Sequence, residues 1–214
     1  MFFSVLATAT LVASILAAPA QQTCGCDVSN AKLGLGRSPG SSMQVPFDLK
    51  PKYITLGVGT QNYTCSSAGT YASAGAVATL VDISCAYKSD PILFREVKTY
   101  AYNLYAQWQH ATGPYTHELG KLYFISQSGS IAPKFDFTQT GNGYMVAKKA
   151  AGTTSPEGSK NVDWLELQGT SGSLAKYVFR VDTQGGQPPV SCNAGQTMTV
   201  KYTAKYCKLD LERP

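Results

Sequence analysis

The chain has 214 residues, 43% hydrophobic and 14% charged, and its 18 Lys and Arg against 13 Asp and Glu leave a net charge of +5. Soluble domains average about 25% charged residues, so a coiled coil, a helical repeat and a charged disordered tail are all excluded. The length accommodates one domain with a sizeable core.

Met1 to Ala20 carry no charge, run apolar through Phe2, Phe3, Val5, Leu6, Leu11, Val12, Ile15 and Leu16, and end in Ala17, Ala18, Pro19 and Ala20. Residues 1–20 therefore read as a secretory signal peptide, which predicts a secreted protein, extracellular or in the cell wall. No later segment approaches the roughly 18 apolar residues of a membrane helix, so no membrane span is expected. Residues 21–43, rich in Gly, Ser and Pro, read as an irregular, cysteine-bearing arm. Residues 44–208 read as a single β-rich domain, and 209–214 as a polar tail.

Within the domain, Tyr53 to Val58, Thr60 to Cys65 and Ala76 to Cys85 carry β-branched and aromatic residues separated by glycine, the pattern of strands. Asp90-Pro91 then offers an N-cap and a first helical residue, and Leu93, Val97, Tyr100, Leu104 and Trp108 recur at helical spacing. This predicts one amphipathic α-helix over about 90–108. Strands follow at Lys121 to Ser126, Phe135 to Thr138, Tyr144 to Ala147 and Asp163 to Gln168. Tyr177, Phe179 and Val181 alternate with Lys176 and Arg180, and Met198, Val200, Tyr202, Ala204 and Tyr206 alternate with Thr199, Lys201, Thr203 and Lys205. Each alternation predicts one face on the core and one in water. The fold class is mainly β, an antiparallel β-sandwich or barrel with one inserted helix.

Cys24, Cys26, Cys65, Cys85, Cys192 and Cys207 form an even set in a chain read as secreted, and disulfides are expected with the pairing left open. Cys24-Gly25-Cys26 is too tight for a shared zinc and predicts two different partners, so no metal is expected. Asn62-Tyr63-Thr64 is the one glycosylation sequon.

Motifs that promise chemistry are incomplete. Gly36-Arg37-Ser38-Pro39-Gly40 resembles a nucleophile elbow, but Pro39 lacks the N–H that an oxyanion hole takes from that position. The chain has two histidines, His110 and His117, and His117-Glu118-Leu119-Gly120-Lys121 starts like a zincin motif but ends in Lys. Asp163 and Glu166 flank Trp164, yet three apart on a strand they point to opposite faces, and Trp164 reads as core. Gly57-Val58-Gly59 and Gly185-Gly186 complete no dinucleotide fingerprint, so no cofactor is expected. The positive charge is spread evenly, which argues against nucleic acid and leaves weak attraction to anionic polysaccharide or a membrane surface.

Three stretches carry a resemblance: Gly57 to Cys65, Val162 to Leu167, and Tyr177 to Cys192 with its Arg180-Val181-Asp182-Thr183-Gln184-Gly185-Gly186-Gln187-Pro188-Pro189 core. Together they resemble a family of secreted fungal and bacterial proteins of unknown function, many of whose fungal members carry the label malate dehydrogenase. The similarity runs from about Cys26 to Tyr206, and Trp164, Arg180, Thr183, Gly185, Gly186, Pro188 and Pro189 are its motif residues. Malate dehydrogenase activity is rejected here, because it needs a nucleotide-binding βαβ unit, an acidic ribose ligand and an Asp-His relay. The reading that follows is a disulfide-stabilised extracellular protein without a catalytic site, acting at the fungal cell wall or a host surface, with effector or elicitor as its sharper form. The alternatives are a wall-polysaccharide hydrolase or lyase using His117, Glu118 and Arg180, and a structural wall-associated protein.

Overall fold

The computed structural model describes residues 26–37, 41–105, 118–127 and 129–211. Eight strands, β1 (Leu49–Cys65), β2 (Tyr71–Asp82), β3 (Glu118–Gln127), β4 (Ser130–Asp136), β5 (Tyr144–Thr153), β6 (Trp164–Gly172), β7 (Tyr177–Gly185) and β8 (Thr197–Leu211), each pair with their sequence neighbours. β8 returns to β1 and closes the sheet, so of the two predicted architectures the chain adopts the barrel. Closure pairs the edge strands, which would otherwise offer unpaired backbone to other chains.

Residues opposite one another in an antiparallel pair share a face. Tyr206 lies opposite Thr55, Ala204 opposite Gly57 and Tyr202 opposite Gly59, and this row points into the barrel. Gly57 is required there by close approach, since a Cβ at that position would lie 2.5 Å from Cε2 of Tyr206. Phe135, Met145, Leu167, Leu174 and Val178 fill the rest of the interior.

A second core lies outside the barrel. Helix α1 (Ser84–Ser89), helix α2 (Pro91–Asn103) and the arm cover the outer faces of β1, β7 and β8, burying Ile54, Leu56, Trp164, Phe179, Val181 and Leu209. The predicted cap of α2 is present, because the Asp90 side chain accepts from the Leu93 N–H at 2.9 Å. Arm residues Val28, Ala31 and Met43 belong to this layer.

The second core corrects several sequence expectations. Thr203 and Lys205 are buried rather than wet, because α2 lies across them and Thr203 donates to the Lys98 carbonyl at 2.8 Å. On β7 the expected faces are exchanged: Phe179 and Val181 face the helix layer, whereas Arg180 shares the inward face of Tyr206. The outward alternation continues through Cys207 to Leu209, so β8 reaches Leu211 and the sheet extends past the expected domain end at 208. Ser84 to Ser89 is helical where the reading placed the end of a strand, since Asp82 accepts from the Ser84 N–H at 2.8 Å and turns the chain.

Among the described residues two disulfides are present, Cys26–Cys85 from the arm to α1 and Cys65–Cys192 from the end of β1 to the loop before β8. Cys207 is a correction to the expected set: its thiol is free and buried in the outer core, where burial pushes its pKa up to about 12. Cys24 lies outside the described residues.

Candidate functional site at the barrel mouth

The interior is open at the end where β1 finishes. A cavity of about 500 Å³ is lined there by Gln61 and Tyr63 of β1, Asp163 before β6 and Arg180 of β7. Phe124 and Ile131 supply apolar wall from β3 and β4, and Leu165 and Leu167 from β6. Deeper in the barrel the Tyr202 and Tyr206 hydroxyls sit 2.9 Å apart. Burial raises the pKa of both phenols, while the nearby Arg180 charge works in the opposite direction.

The polar groups have distinct surroundings. Arg180 Nε donates to the Asp163 carbonyl at 3.0 Å, and no carboxylate among the described residues lies within ion-pair distance of the guanidinium. Gln61 is 6% exposed, and its side-chain nitrogen makes no hydrogen bond of ordinary length and angle among the described residues. Tyr63 donates to the Gly186 carbonyl at 2.7 Å, and burial raises its pKa. Lys148 and Lys149 complete the lining, so the cavity carries three cationic side chains against the one carboxylate of Asp163.

The Arg180 to Pro189 motif builds this end of the barrel. Gly185 and Gly186 have φ of 71° and 91°, and a Cβ at Gly186 would lie 2.7 Å from Val162 and 2.9 Å from Tyr202. Asn161 accepts from the Gly185 N–H at 2.7 Å and fixes the turn. Between Arg180 and Gly185 the strand bulges, with Asp182 at φ 49°. Lys205 donates to Asp182 at 2.8 Å, Lys98 lies 3.9 Å away and Arg37 of the arm pairs with it. Burial opposes the charge on Asp182, yet these cations hold its pKa below the usual value. Thr183, fully buried, donates to Ser155 at 2.9 Å.

The other predicted residues are dispersed. Glu118 begins β3 opposite Val81 and pairs with Lys121 at 2.7 Å, and it does not line the mouth that Arg180 lines. His117, His110 and Ser38 lie outside the described residues. Glu166 accepts from the Gln44 N–H at 3.0 Å, whereas Asp163 lines the mouth. Trp164 is fully buried, with its indole N–H donating to Glu157 at 3.0 Å and Arg37 stacked over its ring. Asn62, half-buried, lies opposite Gly75 and Thr199. Pro188 and Pro189 line a separate groove with Tyr102. No cluster of three or more metal-ligating side chains occurs among the described residues.

The opposite half of the interior holds a second cation. Lys208, fully buried, donates to Thr55 at 2.7 Å and lies 4.7 Å from the centre of the Phe137 ring. Burial brings its pKa down to about 7, partly opposed by Cys207 and Asp82. One carboxylate oxygen of Asp82 is buried without a hydrogen-bond partner among the described residues. Sequence reasoning missed Gln61, Tyr63 and Lys208. The signal for Lys208 was present, since it continues the inward series Tyr202, Ala204, Tyr206.

A family model described as "Protein of unknown function (DUF3455)" matches residues 46–209, which takes in nearly the whole barrel. No curated protein matches the chain, and no solved structure does.

Proposed function

We propose, for a chain that belongs to the DUF3455 family of proteins of unknown function, a secreted binding protein that holds a small ligand in its barrel mouth and performs no chemistry on it. The observation that carries this reading is the pairing, in one open cavity of about 500 Å³, of a half-buried guanidinium without a carboxylate partner among the described residues and a buried amide nitrogen without a hydrogen bond of ordinary geometry among them. An eight-stranded barrel has an interior just wide enough for its own side chains or one small ligand, and buried polar groups without partners mark where a ligand completes the structure.

Export is supported by the two disulfides, by the apolar residues 1–20 and by the absence of any helix among the described residues long and apolar enough to cross a membrane. The place of action is the fungal cell wall or a host surface, which rests on family resemblance; the sharper form is an effector or elicitor, with Asn62 carrying a glycan. The competing hydrolase or lyase reading needs His117, Glu118 and Arg180 in one cleft, and the ion pair of Glu118 with Lys121 away from the mouth gives it no support.

The test passes the mature protein over immobilised wall polysaccharides and applies the same sample to host tissue. Saturable retention without release of sugar is expected. Release of reducing ends that His117→Ala abolishes would overturn the non-catalytic reading.

A further inference from the structure

We infer that the mouth is an anion seat for a small carboxylate attached to an apolar body. The inference rests on the reading that the mouth holds a ligand and adds what that ligand is.

The charge of the seat comes from Arg180. Its Nε is occupied by the Asp163 carbonyl, and the guanidinium has no ion-pair partner among the described residues. One edge of the guanidinium also faces the Tyr206 hydroxyl, and the N–H groups that remain form a planar fork that matches the two oxygens of a carboxylate. A cation half-withdrawn from water among apolar walls is costly to leave unpaired, and a bound anion removes that cost. Lys148 and Lys149 add positive charge around the same cavity, with Asp163 alone opposing, so the field of the mouth draws in anions.

A second, independent donor is Gln61. Its residue is 6% exposed, its nitrogen has only the Tyr202 hydroxyl beside it and makes no hydrogen bond of ordinary geometry among the described residues, and it lines the same cavity. An amide N–H beside a cation favours an acceptor-only group. The ionised carboxylate is such a group.

The walls set the body of the ligand. Phe124, Ile131, Pro133, Val162, Leu165 and Leu167 offer carbon surface to whatever the anion carries. A volume of about 500 Å³ falls within the range of small-molecule sites, roughly 300–1,000 Å³. A free uronic acid has the charge but little apolar surface, so the walls favour an aryl or alkyl carboxylate.

The test is calorimetric titration of the mature protein with 2-naphthylacetate, its neutral amide 2-naphthylacetamide, and galacturonate. The acid is expected to bind at least tenfold more tightly than the amide and more tightly than galacturonate, the step typical of a charge-assisted contact. Arg180→Gln is expected to bring acid and amide level. Gln61→Leu is expected to weaken the acid severalfold with the melting temperature unchanged. Equal binding of acid and amide by the native protein overturns the anion seat and leaves a ligand seat standing. Binding of galacturonate without the naphthyl acid overturns the apolar body. Failure of all three probes to bind overturns the anion seat, while the proposed function stands or falls by its own retention test. Should Arg180→Gln not fold, as near-UV circular dichroism reports, the acid-to-amide ratio in the native protein and in Gln61→Leu decides the matter.

Discussion

The two halves of the barrel interior each hold a cation, and they treat it oppositely. Arg180 is half-buried beside an open cavity, holds one backbone carbonyl and leaves the rest of its donors free of carboxylates among the described residues. Lys208 is sealed behind Phe135 and Phe137 and hydrogen-bonded to Thr55. Burial penalises the charged form of any group, and at Lys208 that penalty lowers the pKa to about 7. The difference separates a cation that a ligand can reach from one that the fold has enclosed. Tyr202 and Tyr206, joined through their hydroxyls, stand between the two halves.

The largest expected effect strikes the mouth end alone. Cys65–Cys192 closes a loop of 127 residues and ties the end of β1 to the loop after the motif. Replacing both cysteines by serine should cost about 5 kcal/mol in chemical denaturation, the scale of loop-closure entropy for so long a loop. Loss of naphthylacetate binding before loss of the fold would sharpen the distinction between the ends.

The sealed end should declare itself through pH. Between pH 7 and 9 the unfolded chain keeps Lys208 protonated while the folded chain releases the proton. More protons on the unfolded state mean that stability rises with pH, here by about 2–3 kcal/mol across that window at roughly 1.4 kcal/mol per pH unit. Lys208→Met should remove that component, visible as a flatter stability profile in urea titrations at several pH values. An unchanged slope would mean that Lys208 is not enclosed.

Between the halves, Gly57→Ala places a methyl group against the Tyr206 ring, 2.5 Å from Cε2. Overpacking of this kind costs about 1–3 kcal/mol, and thermal unfolding should show it. The smallest effect belongs to the outer core: Cys207, with its pKa pushed up to about 12, should resist iodoacetamide in the native protein and react once unfolded, as peptide mapping would read.

Much of the barrel was legible in the chain. Alternation marked β7 and β8, glycine-bearing turns marked the strand spacing, and Asp90-Pro91 marked the start of α2. Periodicity could not say what lies across a strand's outer face, because the contact of α2 with Thr203 joins residues about a hundred positions apart. That long-range cover is why Phe179 and Val181 turn away from the interior and why Arg180 enters it. The motif residues were visible, but their division was not. Arg180 serves the mouth, while Asp182 and Thr183 serve the outer ion pairs and hydrogen bonds, because the bulge at Asp182 switches the strand's register. Cys207 could not be told from the bridged cysteines, since an even count carries no geometry.

The mouth, as the seat of a bound carboxylate, is tested most directly by where that carboxylate is felt. A two-dimensional NMR titration of the ¹⁵N-labelled mature protein with 2-naphthylacetate should shift the Gln61 side-chain amide, the Arg180 Nε–H and the Gly186 amide. The amides of Gly141 to Gly143, beside Tyr53 and Asn142 at the far end, should stay in place. Shifts centred on Gly141 to Gly143 or on the outer face of α2, with the mouth silent, would contradict it.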